Sequence, residues 1–144
     1  MRRILAFALL FAAAPVLALD FRAVAADAAV LYDAPSARSQ KLYVVNRGYP
    51  LELLVNVEGW VKVRDANGGL GWIEVKQLTD KRTVMIKVPV APVRQKPLDN
   101  APVAFQAGES VLLDLVSVLP GGWVEVRHRD GGPGFVKVQA LWGV

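Results

Sequence analysis

Apolar and polar residues alternate with a period of two along most of the chain. In "WVKVR" (residues 60–64) two valines alternate with tryptophan, lysine and arginine, and "GWIEVK" (residues 71–76) repeats the pattern with isoleucine and valine. This alternation is typical of half-buried antiparallel strands. The "NGG" at residues 67–69 predicts a three-residue hairpin loop between them, with glycine supplying the positive φ.

The same phrase occurs twice. The stretch "GWVKVRDANGGLGWIEVKQL" (residues 59–78) returns as "GWVEVRHRDGGPGFVKVQAL" (residues 122–141), and 10 of the 20 aligned positions are identical. Upstream, "RGYPLELL" (residues 47–54) matches "AGESVLLD" (residues 107–114). We infer that one unit of roughly sixty residues is present in two copies.

The expected loop also fixes a strand register. With residues 67–69 as the turn, Lys62 faces Glu74, and the same register in the second copy makes Glu125 face Lys137. Between the two copies the lysine and the glutamate have changed places, which is a change that a direct cross-strand ion pair tolerates. We therefore predict these two pairs.

Proline and glycine punctuate the chain about every 8 to 12 residues, and no stretch after Leu19 has a helical period, which favours small all-β barrels or sandwiches. We predict domain one over residues 19–78, a short joint at residues 79–82 and domain two over residues 83–144. Small barrels bury a modest fraction of their surface. We therefore expect the two domains to touch and to stabilise each other.

The N-terminus has the layout of a secretory signal peptide. Arg2 and Arg3 precede the apolar run of residues 4–14, Pro15 interrupts it, and "VLA" (residues 16–18) offers small or medium residues for cleavage. The apolar run is shorter than the roughly 18 to 20 residues that span a bilayer. We predict a signal peptide at residues 1–18, with an uncleaved anchor as the alternative.

Removal of a signal peptide on export alters the net charge of the chain, and export also bears on its lack of cysteine. Removing Arg2 and Arg3 lowers the formal charge from +4 to +2, which gives no case for nucleic acid as a partner. The chain has no cysteine, which excludes a lipid-carrying cysteine and leaves packing and hydrogen bonds to hold the fold. A Gram-negative periplasm is the expected location.

The ordered set of motifs resembles the bacterial SH3-like (SH3b-type) domain family. A strand with "GW", a glycine turn and then "GW" or "GF" carry the likeness, together with "VLYDAPS" (residues 30–36) at the family's RT-type loop. The resemblance implies two tandem five-stranded barrels, usually non-catalytic, that bind peptides or peptidoglycan. It places Tyr32 and Trp60 in an aromatic groove. Arg94 stands at the Tyr32 position of the second copy, which implies a poorer groove there.

Outward-facing aromatic side chains are the candidate ligand contacts, because they are out of phase with the apolar residues of their strands. The alternative is that a loop or the other domain covers them. The candidates are Tyr32, Trp60, Trp72, Trp123 and Phe135. Trp142, near the end of the chain, is interpreted as a packing lid.

The residues offer no catalytic or metal-binding constellation. A single histidine without cysteine does not build a typical zinc site, and no serine lies in an elbow motif. We therefore expect no enzyme activity, no metal and no cofactor. The basic cluster at residues 126–129, with Arg94 and Lys96, can attract acidic peptides, but a solvated hairpin tip is the favoured interpretation.

The sequence as a whole predicts an exported tandem SH3-like binding or adaptor protein. Its expected ligand is an extended peptide, from peptidoglycan or from a periplasmic protein, on the outward aromatic residues, with no stable membrane span after cleavage. The alternative is a structural or regulatory subunit whose aromatic faces are buried in an assembly.

Overall fold

The computed structural model describes residues 19–144. The predicted signal peptide lies outside the described residues and stays a prediction. Among residues 19–144, no helix is long and apolar enough to cross a membrane.

Each sequence repeat forms one antiparallel sheet of seven strand segments. The first sheet contains β1 (Phe21–Val24), β2 (Ala28–Tyr32), β3 (Lys41–Asn46), β4 (Pro50–Val57), β5 (Trp60–Arg64), β6 (Leu70–Glu74) and β7 (Leu78–Thr79). The second contains β8 (Thr83–Ile86), β9 (Val90–Arg94), β10 (Val103–Gly108), β11 (Leu112–Val118), β12 (Trp123–His128), β13 (Gly132–Lys137) and β14 (Leu141–Trp142). Single 3₁₀ turns at Val75–Gln77 and Val138–Ala140 precede the last strand of each sheet.

The two sheets have the same topology. Their strand orders are β3-β2-β6-β5-β4-β1-β7 and β10-β9-β13-β12-β11-β8-β14. The all-β class and the tandem arrangement of two like domains are thus confirmed. Seven segments are present where five strands were expected, because the arms of the expected RT-type loop are themselves paired as the hairpins β2–β3 and β9–β10.

The predicted alternation sets the core of each barrel. Val61 and Val63 on β5 and Ile73 on β6 are fully buried, and the second domain buries Val124 and Val126 in the same way. Burial of each such side chain contributes about 1.5–3 kcal/mol. The expected alternation ends at β6, because the next valine, at position 75, lies in the 3₁₀ turn and is 37% exposed.

The predicted register of the central hairpin is wrong by two residues. Lys62 faces Trp72, and Glu74 faces Trp60. In the second domain, Glu125 faces Phe135 and Lys137 faces Trp123. Neither expected ion pair forms. Glu74 and Lys137, the last residues of β6 and β13, each lie opposite a tryptophan instead.

Asp65 explains the shift in domain one. Its buried carboxylate accepts hydrogen bonds from the backbone N–H groups of Asn67 and Gly69, both at 2.8 Å, and from the Tyr43 hydroxyl at 2.6 Å. Such an aspartate-capped turn satisfies N–H groups that a strand ladder would otherwise need. The loop therefore covers residues 65–69 rather than residues 67–69.

The two domains are in contact through the strands at one end of each sheet. The Trp142 indole N–H donates to the carbonyl of Pro50 at 2.8 Å. The Trp142 ring meets Phe21 edge to face, with centroids 5.1 Å apart. The Thr83 hydroxyl donates to the carbonyl of Gly48. Trp142 is thus a lid over the other domain, and the junction consists of paired polar groups around an aromatic contact.

We expect Trp142→Ala to lower the free energy of unfolding of the chain from Leu19 to Val144 by about 2–4 kcal/mol, because it removes the aromatic contact and the hydrogen bond together. Trp142→Phe, the matched control, keeps a ring against Phe21 and is expected to cost about 1 kcal/mol. Urea unfolding measures both. Equal stability of Trp142→Ala and the parent chain would show that the junction does not stabilise the domains.

Tyr43 makes the stability of the fold sensitive to alkaline pH. Burial, and then the hydrogen bond to Asp65, raise the pKa of the Tyr43 hydroxyl far above its ordinary value. The unfolded chain releases this proton near pH 10 and the folded chain does not, so the free energy of unfolding falls as the pH rises above about 10.

The Tyr43→Phe variant lacks this titration. We expect it to lose less stability than the parent between pH 9 and pH 11, as measured by urea unfolding at each pH. The other titrating groups are common to both proteins. The same loss in both would contradict the assigned role of Tyr43.

Candidate functional site

The aromatic candidates of domain one lie together on the outer face of its sheet. Tyr32 on β2 faces Trp72 on β6, and the Tyr32 ring meets Trp60 edge to face, with centroids 5.4 Å apart. All three side chains are half-buried. Each residue alternates with a fully buried neighbour, so the strand period itself directs the aromatic rings outward.

Charged residues surround the domain-one aromatic face. Glu74, opposite Trp60, forms an ion pair with Lys76 at 3.0 Å. Lys62 faces Trp72 on the other side. The face therefore combines flat apolar rings with acceptors and donors at its edges, which suits an amphipathic ligand such as a peptide.

The outer face of domain two holds the other two candidates. Trp123 on β12 lies opposite Lys137 on β13, whose ammonium group is 5.6 Å from the tryptophan ring centroid. Phe135 faces Arg94 on β9. The candidates of the two domains thus form two separate faces, and the junction around Trp142 leaves the Trp123 face uncovered by domain one.

A groove of about 480 Å³ lies beside Trp123. All of its lining residues belong to domain two, the copy for which the resemblance implied the poorer aromatic groove. Apolar side chains and three charged residues line it. The charged residues are Arg94, Asp99 and Lys137.

The charged residues of this groove were missed as a group because of the register error. The predicted register pairs Lys137 with Glu125. In that register the Lys137 ammonium group does not lie next to Trp123. Arg94 was assigned to the Tyr32 position and to the basic cluster with Lys96 and residues 126–129, but not to a site shared with Lys137. The correct register, with Lys137 opposite Trp123, brings both cations onto the groove side of the sheet.

Close packing at a glycine positions the groove wall. A Cβ on Gly134 would lie 2.3 Å from Val93 Cγ1, so only glycine allows β13 to lie this close to β9. Gly71 has the same place in domain one, where a Cβ would lie 3.1 Å from the Leu31 side chain. This approach brings Arg94 beside Phe135, as it brings Tyr32 beside Trp72.

The chain thus consists of two small antiparallel β-domains, each with aromatic residues on its outer face. The chain belongs to the bacterial SH3 domain family, whose family model matches residues 25–80 and 87–143. No curated protein matches.

Solved structures with a similar arrangement include NlpC2 and NlpC1 from Trichomonas vaginalis. NlpC2 is 14% identical with a TM-score of 0.42 over 90% of this chain and 50% of its own, and NlpC1 is 15% identical with a TM-score of 0.41 over 97% and 51%. An NlpC/P60 family protein from Bacillus cereus is 15% identical, with a TM-score of 0.40 over 85% of this chain and 56% of its own. The chain spans about half the length of these proteins.

We expect Gly134→Ala to lower the free energy of unfolding by about 2 kcal/mol, because the added methyl group overlaps Val93 and the backbone of β9 cannot retreat without losing its pairing. Gly71→Ala is the matched control, with a smaller expected loss because its contact with Leu31 is looser. Urea unfolding of both variants tests this order. A Gly134→Ala variant as stable as Gly71→Ala would contradict the close-packing argument.

Proposed function

We propose that this protein is a non-catalytic, exported binding or adaptor protein that recognises an extended peptide, from peptidoglycan or from a partner protein, through its outward aromatic residues. The observation that carries the proposal is the edge-to-face pair of Tyr32 and Trp60 with Trp72 beside it, all partly accessible on one sheet face. Family membership supports it, since bacterial SH3 domains often bind peptidoglycan.

The environment of the aromatic pair suits peptide recognition. Rings that meet edge to face leave flat apolar surface for side chains, and neighbouring Lys62 and Glu74 offer a donor and an acceptor to a peptide backbone. Residues 19–144 contain no group of three or more potential metal-ligating side chains.

Export to a Gram-negative periplasm is part of the proposal. The basic and apolar N-terminal segment supports it, as does a fold that the absence of cysteine leaves without disulfides. The ligand face would then be exposed to the envelope, where peptidoglycan stems and periplasmic proteins are accessible.

A second candidate function is that of a structural or regulatory subunit in a protein assembly. The observation in its favour is the apolar surface at the end of the long central hairpins. Val55 on β4 and Val116 and Val118 on β11 are 49%, 49% and 59% exposed. Exposed apolar side chains of this kind are typical of protein contacts.

The first test mixes the purified chain from Leu19 to Val144 with isolated peptidoglycan sacculi and measures the fraction that sediments with them. We expect the parent chain to sediment and Trp60→Ala to lose most of its binding. The substitution removes the indole, whose flat apolar surface on the domain-one face would contact the ligand. Val44→Ala, which truncates an exposed residue of β3, is the control and should sediment like the parent.

Sedimentation of neither protein would contradict peptidoglycan recognition and favour the subunit function, which affinity capture from a periplasmic extract then examines. Sedimentation of both to the same extent would contradict the role of the domain-one face.

A further inference from the structure

The domain-two groove has an apolar end and a cationic end. Val90 is the first residue of β9, Val88 lies two residues before it, and Arg94 is the last residue of that strand. Four residues of extended chain separate Val90 from Arg94, which corresponds to about 13 Å. The groove therefore offers an apolar contact and a positive charge at a fixed spacing.

The cations of the groove are held in place with donor capacity to spare. Arg94 donates one guanidinium hydrogen bond to the carbonyl of Ala101, at 2.9 Å. The Lys137 ammonium forms an ion pair with Asp99 and lies over the Trp123 ring. A guanidinium has five N–H donors and an ammonium three, so both groups can donate further hydrogen bonds to an anionic ligand.

The equivalent face of domain one distributes its charges differently, with Lys62 at the position of Glu125. Glu74 occupies the position of Lys137, and the neutral Tyr32 occupies the position of Arg94. The two copies therefore share the central tryptophan but differ in the charge beside it. The two groove cations, Arg94 and Lys137, favour an acidic ligand at this point of domain two, because the corresponding residues of domain one, Tyr32 and Glu74, hold no positive charge.

We propose that the domain-two groove binds an extended acidic peptide, with an apolar side chain against Val88 and Val90 and a side-chain carboxylate between Arg94 and Lys137. This deepens the proposed function and rests on it. In an extended peptide, residues four positions apart point to the same side. The apolar residue and the acidic residue are therefore separated by three others.

Asp99 is the internal competitor of this ligand. Its carboxylate is 77% exposed and lies in the loop after β9, where it pairs with Lys137. A peptide carboxylate that takes its place keeps the ammonium neutralised and releases only a solvated loop residue. Removal of the Asp99 charge should therefore strengthen peptide binding, whereas a purely structural ion pair predicts no gain.

The test uses isothermal titration calorimetry of the chain from Leu19 to Val144, which contains both domains. The probe is acetyl-Val-Ala-Ala-Ala-Glu-amide, and the reference is the same peptide with glutamine in place of glutamate. We expect the glutamate peptide to bind about tenfold more tightly in low salt, with a difference that shrinks as salt is added.

Three variants locate the site. Lys137→Met should weaken the glutamate peptide roughly fivefold, and Asp99→Asn should strengthen it roughly threefold. Lys96→Met removes the same charge from an exposed residue that does not line the groove, and it should bind like the parent.

Equal affinity for the two peptides, or a Lys137→Met variant that binds like Lys96→Met, would overturn the proposal. Equal binding of the glutamine peptide with a free C-terminal carboxylate would overturn the choice of a side-chain carboxylate. The outcome is separable from that of the sacculi experiment. Peptide binding without sedimentation supports the groove and contradicts peptidoglycan as the ligand, and the reverse result contradicts the groove alone.

Discussion

The close contact between β6 and β2, and between β13 and β9, is the constraint on which the rest of each barrel depends. A single residue pair joins the first hairpin to the central strands in each domain, Tyr32 with Trp72 and Arg94 with Phe135. Glycine on the inner side of that pair lets the strands approach until Leu31 or Val93 fills the core beneath. The same contact therefore closes the hydrophobic core inside and forms the outer surface on which the candidate site lies.

Duplication of this arrangement has kept the inner face and changed the outer one. The buried positions of the two copies are nearly all valine, leucine and isoleucine, because close packing tolerates little change in volume. The outer positions have no such restriction. Replacement of Tyr32 and Glu74 by Arg94 and Lys137 alters the electrostatics of the surface while the sheet beneath is unchanged.

Much of the fold could be predicted from the sequence, because alternation and repetition report directly on burial. Val61, Val63 and Ile73 are buried as their period indicates, and the aromatic residues between them point outward. The register could not be predicted, because it depends on the side chains of Asp65 and His128, each of which accepts a hydrogen bond from the backbone N–H two residues further along its turn. Residue type alone does not reveal where an aspartate directs its carboxylate.

The candidate site was predicted in part for the same reason. The aromatic residues were found because their phase is visible in the strand pattern. The cationic groove was not, since its charges come from β9 and β13, which are about forty residues apart in the chain and meet only through the tertiary fold. A two-residue error in one hairpin is enough to take Lys137 from the groove and assign it to another partner.

The junction around Trp142 has a consequence for ligands longer than one binding face. The indole hydrogen bond to Pro50 and the contact with Phe21 join the two barrels directly. With both proposed faces binding, a polymer that carries a ligand for each face gains avidity only if its own repeat matches the spacing that this junction allows. Polymers with a different repeat engage one barrel at a time.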